Sequence, residues 1–428
     1  MGRYAGFLFL IVVLTPPLAD LQAREAELAD LLAGDERFST FLRLAATGGT
    51  LDVLAGAGPM TLLAPVNEAF AELPDFVLAW LARRPAVLQN LLHLHVLPGA
   101  LADGRVEAVL DTHGAGVIAD DVNAHNGRLR PIDRVLLPAQ ELEVVVPAFV
   151  EGSIVSAGSS TVFLLSEVIA ARFRREGYRG GNVSVYSIGT GAGFERFCTE
   201  GITDIANASR PITDGERQKC QAIGRQVFAL HAGTDLLVVV VNSANDFADN
   251  LSLAQLARLF STADTWQDVN PAWPARPVER FIPGTDSGSL DLFVEHLFSK
   301  DRAPILGASR TSVSGDVNVL AHGVAGNLYG VGFLGYAAFN ANRHRLKAVP
   351  LEGVAPHGSN VFDGSYPLAR SLMLYSAPDI IAARPQVGEF LSYYLTVVNQ
   401  EIEKAGYFEV DPQTLNRSRL LLRAAIGH

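Results

Sequence analysis

From residue 142 to about residue 411 the chain alternates short apolar runs with longer stretches of helical spacing. Strand-like runs lie at 142–149, 154–155, 183–187, 228–230, 236–241, 278–282 and 346–349. Apolar positions at helical intervals follow at 164–173, 253–260, 290–297 and 387–405. This alternation predicts an α/β unit with largely parallel sheets. A unit of this size is expected to form two lobes, with ligand beyond the carboxyl ends of the strands. The tail, residues 415–426, is apolar-periodic and predicts a docked helix. Upstream, residues 24–140 read as a separate unit, with helical or turn segments at 25–32, 37–47, 51–54, 74–81 and 85–94. There, a short strand at 61–64 meets Pro65, and Asn67 is placed to cap a helix that Pro74 ends.

Three small-residue turns join apolar runs to helical patterns. They are Ala157-Gly-Ser-Ser-Thr-Val-Phe163, Ile188-Gly-Thr-Gly-Ala-Gly-Phe194 and Pro283-Gly-Thr-Asp-Ser-Gly-Ser289. Helix starts leave backbone N–H groups unpaired and carry partial positive charge. Glycine permits close approach and hydroxyls add donors, so each turn suits an anion. A single turn of this kind says little, because Ser and Thr cap helices generally. Three turns, with the Ser209-Arg210 pair, are expected to surround one small oxyanion.

With 428 residues the chain exceeds one ordinary core. Its formal net charge of −11 argues against general nucleic-acid or anionic-membrane binding, without excluding one bound anion. Residues 1–23 read as a signal peptide, with Arg3 before an apolar run at 6–14 and small-residue cleavage sites after it. A periplasmic or secreted location follows. In that compartment a disulfide between Cys198 and Cys220 is expected, two buried free thiols being the alternative.

The first unit resembles a fasciclin domain. The resemblance rests on Leu63-Ala-Pro-Val-Asn-Glu-Ala-Phe70, Leu91-Leu-His-Leu-His-Val-Leu-Pro-Gly99 and Asn126-Gly-Arg-Leu-Arg-Pro-Ile-Asp-Arg-Val-Leu-Leu-Pro138. It implies an α+β module that makes cell-surface or matrix contacts, without catalysis. His95 falls on that family's structural histidine, so core hydrogen bonds are expected rather than a metal pair with His93.

Residues 141–428 resemble the periplasmic phosphate-binding protein of phosphate ABC transporters, in its cyanobacterial-type branch. Matching stretches include Gly158-Ser-Ser-Thr-Val-Phe163, Gly189-Thr-Gly-Ala-Gly-Phe194, Asp204-Ile-Ala-Asn-Ala-Ser-Arg-Pro-Ile212 and Gly284-Thr-Asp-Ser-Gly-Ser289. The resemblance implies a two-lobed α/β fold of type II-like character that closes on phosphate and hands it to an ABC permease. Carried over by motif, the ligand set is Ser160, Thr161, Thr190, Gly191, Ser209, Arg210, Ser287, Gly288 and Ser289. Many relatives place an Asp where Ser209 stands and an Arg just before the third turn, which here is Pro283-Gly284. Arg210 is therefore expected to supply the guanidinium. Asp286, with Asp291 behind it, is the candidate acceptor for the ligand proton that separates phosphate from sulfate, a helix cap being its alternative role.

Neither a Gly-x-Ser-x-Gly elbow nor the Lys of a phosphate-loop ATPase is present, and the histidines are scattered. The expectation is a binding protein with no catalysis, cofactor or metal. The competing reading is an envelope adhesion or matrix protein using the binding fold as a scaffold.

Overall fold

The computed structural model describes residues 26–427 except 143, 144, 286 and 363. The expected signal peptide lies outside the described residues. The chain forms two units. The smaller runs to Glu72 and resumes over Arg84–Pro138. The larger comprises Leu73–Arg83 and Ala139–His428.

In the smaller unit, β1 (Met60–Pro65), β2 (Val96–Pro98), β3 (Val122–Ala124) and β4 (Gly127–Ile132) form one sheet in the order β2-β1-β4-β3. β1 runs parallel to β4, and both edge pairs are antiparallel. Leu63, Val106, Leu110, Ile132 and Leu136 form its packed centre. Val106 and Leu110 come from a helix, Asp103–His113, that the sequence reading left unassigned. Helices at Leu28–Gly34, Ser39–Thr47, Leu51–Leu54 and Pro85–His95 match the apolar spacing.

Asn67 departs from expectation. It is the first residue of its helix, Asn67–Ala71, rather than the cap. Its amide oxygen accepts from Thr40 N–H at 2.9 Å and its nitrogen donates to Glu36 O at 2.8 Å. The side chain is thus committed to a neighbouring helix start. Asn126 explains the Asn-Gly box. It is buried, donates to Leu54 O and Gly56 O, and accepts from Leu28 N–H.

The larger unit contains β5 (Ile154–Gly158), β6 (Val183–Ser187), β7 (Ile205–Ala208), β8 (Phe228–Asn242), β9 (Glu279–Pro283), β10 (Thr311–Ser314), β11 (Gly330–Gly335), β12 (Leu346–Ala348) and β13 (Ala369–Ser376). The sheet order is β10-β9-β11-β8-β13-β7-β5-β6, with β12 beside β8. Parallel pairing holds at the two ends, in β6-β5-β7 and β10-β9-β11. The centre is antiparallel: β8 opposes β13, β11 and β12, and β13 opposes β7. The sheet is therefore mixed, which corrects the expectation of largely parallel pairing.

The two apolar runs at 228–230 and 236–241 are one strand of 15 residues. Its first half pairs with β13 and its second half with β11. A core drawn from Leu236 to Leu368, with Phe408, packs around that second half. β8 and β13 thus carry the chain from one α/β lobe to the other and back. Residues 142–149 are a further correction. Pro147–Phe149 is a single 3₁₀ turn and the neighbouring described residues form no strand. Pro147 has no N–H to give a ladder.

Four helices position the candidate site: α1 (Ser160–Arg175), α2 (Thr190–Cys198), α3 (Asp214–Ala222) and α4 (Gly288–Phe298). α1 follows β5, α2 follows β6, α3 follows β7 and α4 follows β9. The tail folds as the expected helix, Pro412–Ile426. Cys198 of α2 and Cys220 of α3 are bonded through their sulfurs and are fully buried.

Candidate anion-binding cleft

All three small-residue turns open helices. Ser159 caps α1, its hydroxyl accepting from Val162 N–H, so Ser160 is the first helical residue and is exposed. Gly189, with φ +86°, precedes α2 and makes Thr190 its first residue. Ser287 caps α4, its hydroxyl accepting from Ser289 N–H at 3.2 Å. Each helix exceeds two turns, so each start carries a useful share of the helix dipole. Asp286 lies outside the described residues.

Close backbone packing sets the first two turns side by side. A Cβ on Gly193 would lie 2.6 Å from Gly158 Cα, so only glycine lets α2 approach the end of β5 this closely. A Cβ on Gly191 would meet nothing nearer than Arg210 Nη2 at 3.9 Å. The protein's own packing therefore leaves space above Gly191, as backbone approach to a ligand requires.

The structure brings four of the expected residues, Thr161, Gly288, Thr190 and Ser209, into two groups. In the first, Arg370 Nη2 donates to Thr161 Oγ1 at 2.8 Å and to Gly288 O at 3.2 Å. One guanidinium thus ties the start of α1 in one lobe to the start of α4 in the other. A Cβ on Gly288 would sit 3.3 Å from Thr161 Oγ1, which shows how near the two turns are. In the second group, Ser209 N–H donates to Thr190 Oγ1 at 3.3 Å, and the two hydroxyl oxygens are 3.4 Å apart.

A cleft of about 440 Å³ is lined by Arg370 of the first group and Ser209 of the second, while Thr161, Gly288 and Thr190 are not among its lining residues. Ser209 and Arg210 line it from one lobe, Leu292, Glu295 and His296 of α4 from the other, and Ala369 to Ser371 from β13. Arg210 is held by Glu216, through Nη1 at 2.9 Å and Nη2 at 2.8 Å, and its side chain is 40% exposed. Hydrogen bonding to Glu216 raises the Arg210 pKa against the opposing effect of burial. Asp291, the expected second carboxylate, pairs instead with Arg302.

Two charged residues beside the cleft escaped the sequence reading. Arg370 and Asp235 are register partners on β13 and β8, where the chain passes between lobes. Arg370 Nε and Nη2 contact Asp235 Oδ2 at 3.1 and 2.9 Å. Burial pushes the Asp235 carboxyl up, and the guanidinium opposes that shift. A charged residue inside an apolar strand was the available signal: Asp235 precedes the run at 236–241, and Arg370 precedes 372–375. Glu295 is likewise a cleft carboxylate with no motif to announce it. Among the described residues no group of three or more His, Cys, Asp or Glu side chains is placed to hold a metal ion.

Two α/β lobes, joined by antiparallel strands, define a two-lobed binding protein. Residues 146–397 match the model of the PBP superfamily domain, more than half of the chain, and the chain belongs to that superfamily. Residues 36–110 match the fasciclin domain, so the N-terminal part carries that module. The chain is 35% identical over 289 residues to protein SphX of Synechococcus elongatus, covering 64% of this chain and 83% of that protein. It is 31% identical over 283 residues to the phosphate-binding protein PstS of Staphylococcus saprophyticus, covering 65% and 86%. Among solved structures, a possible phosphate binding protein from Planctomyces limnophilus superposes with a TM-score of 0.59 at 31% identity. That match covers 65% of this chain and 99% of the other.

Proposed function

We propose that this chain is an extracytoplasmic solute-binding protein that captures inorganic phosphate in the interlobe cleft and delivers it to an ABC permease. Ser160, Thr161, Thr190, Gly191, Ser209, Ser287, Gly288 and Ser289 supply hydroxyl and backbone donors. Arg370 supplies positive charge, and Arg210, paired with Glu216, stands in the cleft wall. In this reading residues 1–23 direct export and are removed. Residues 24–140 are a fasciclin module for a surface or matrix partner, and 141–428 bind the solute without covalent chemistry. The observation that carries the reading is the convergence of the α1 and α4 starts on Arg370, in a cleft that also holds Ser209 and Arg210. A desolvated dianion needs many donors, because burying it unpaired is very costly. The printed name of the PstS relative, a phosphate-binding protein, agrees with this ligand class.

Calorimetric titration of the mature chain, stripped of ligand by unfolding and refolding, tests the reading. Phosphate is expected to bind tightly, and sulfate weakly or not at all. Equal response to both would make the protein a general oxyanion receptor. Silence toward both would leave the cleft without its ligand and favour adhesion, with the fold as scaffold.

A further inference from the structure

Two guanidiniums face the cleft, and their surroundings differ. Both terminal nitrogens of Arg210 are committed to Glu216, and Nη1 donates to Pro211 O as well. A bidentate fork held this way on a carboxylate is already in its preferred partnership. An incoming anion would have to displace Glu216, which also completes the cap of α3 through Thr213 N–H and Oγ1.

Arg370 is arranged otherwise. Its side chain is 13% exposed, against 40% for Arg210. Asp235 fixes it along one edge through Nε and Nη2, and Thr161 Oγ1 and Gly288 O fix Nη2 further. Nη1 makes no hydrogen bond among the described residues. A largely buried guanidinium with one terminal nitrogen unspent, lining a cleft, is a donor awaiting an acceptor. It touches the first turn of α1 through Thr161 Oγ1 and the first residue of α4 through Gly288 O, one from each lobe.

We propose that Arg370, oriented by Asp235, is the guanidinium that receives the bound oxyanion, while Arg210 is a wall residue neutralised by Glu216. The assignment rests on the oxyanion reading of the cleft given above. It reverses the role that motif position gives to Arg210. Asp235 acts as a positioning residue, because it touches the guanidinium rather than the ligand. Low exposure strengthens the contact, since charge-assisted hydrogen bonds gain as the local dielectric falls.

The test measures phosphate affinity by calorimetry for the unaltered chain, Arg370→Gln, Arg370→Lys, Arg210→Gln and the double variant Arg370→Gln/Asp235→Asn. Thermal unfolding of each is followed alongside. Arg370→Gln is expected to weaken phosphate binding by about 100-fold or more, as for loss of a buried charged partner. Arg370→Lys should recover part of that loss by keeping the charge. Arg210→Gln should cost less than about fivefold, in line with an exposed, already paired cation. Should Arg370→Gln alone fail to fold because Asp235 is left unpaired, the double variant removes both charges and decides the matter. A folded double variant that binds within about fivefold of the unaltered chain overturns the proposal. So does a larger loss in Arg210→Gln than in Arg370→Gln. If the unaltered chain binds no phosphate, the functional reading itself fails, an outcome distinct from either.

Discussion

His95 is fully buried, and both of its ring nitrogens are used. Nδ1 donates to Leu91 O at 2.9 Å and Nε2 accepts from Leu136 N–H at 3.0 Å. The neutral tautomer therefore satisfies one donor and one acceptor, and protonation at Nε2 would turn that acceptor against an N–H. Burial is the main cause that holds its pKa at about 4, below the ordinary 6.5, with His113 acting in the same direction. As pH falls from 6.5, the unfolded chain takes up this proton before the folded one does. The stabilisation is whole above pH 6.5 and is lost as pH falls through about 4. Its size is about 3 kcal/mol. Urea unfolding of the smaller unit across that window should show the loss, and His95→Gln should flatten the dependence. An unchanged pH slope in that variant would assign the acid sensitivity elsewhere. This residue was legible in the sequence, because the Leu-His-Val-x-Pro-Gly context distinguishes a core histidine from a metal ligand.

At the level of elements, the strand–turn–helix units were legible because their chemistry is local. Glycine, a capping hydroxyl and an apolar run follow one another within seven residues, as in Ala157 to Phe163. Arg370 and Asp235 were not legible. They stand 135 positions apart, and only the register of β13 against β8 makes them neighbours. A register shift lies beside that pair, where Leu372 faces Gly233 and Met373 faces His231, and Gly233 with φ +147° is its one local mark in the sequence. The disulfide belongs to this scale too. It joins α2, which begins at Thr190, to α3, whose first turn holds Glu216 and through it Arg210. Closing a loop of 22 residues restricts the unfolded chain by about 3 kcal/mol. Replacing both cysteines with Ala should lower the stability of the larger unit by that amount in urea. Reductant should reproduce the loss in the unaltered chain and do nothing further to the variant. Equal stability with and without reductant would show that the bridge does not contribute.

For the whole molecule, alternation of apolar runs gave away the α/β class, and family boxes gave away the fasciclin module. The assignment of Leu73–Arg83 could not be read this way. Its helix, Asp75–Ala82, has the apolar spacing of any fasciclin helix, yet it belongs to the larger unit. Phe76 and Trp80 are 3% and 2% exposed. The Phe76 ring meets Phe228, the first residue of β8, edge-on with centroids 5.7 Å apart. The Arg423 guanidinium lies 6.0 Å from the centre of the Trp80 ring. Burial of this kind predicts that Phe76→Ala destabilises by about 3–5 kcal/mol. It also predicts which unit suffers. Phosphate binds only the folded larger unit in the proposed function, so it raises that unit's melting transition by mass action. In calorimetry of the full chain, Phe76→Ala should lower the transition that phosphate raises. If it lowers a phosphate-insensitive transition instead, the helix belongs energetically to the smaller unit. A chain cut at residue 139 would then keep its full stability, whereas the observed burial requires that it lose part of its own core.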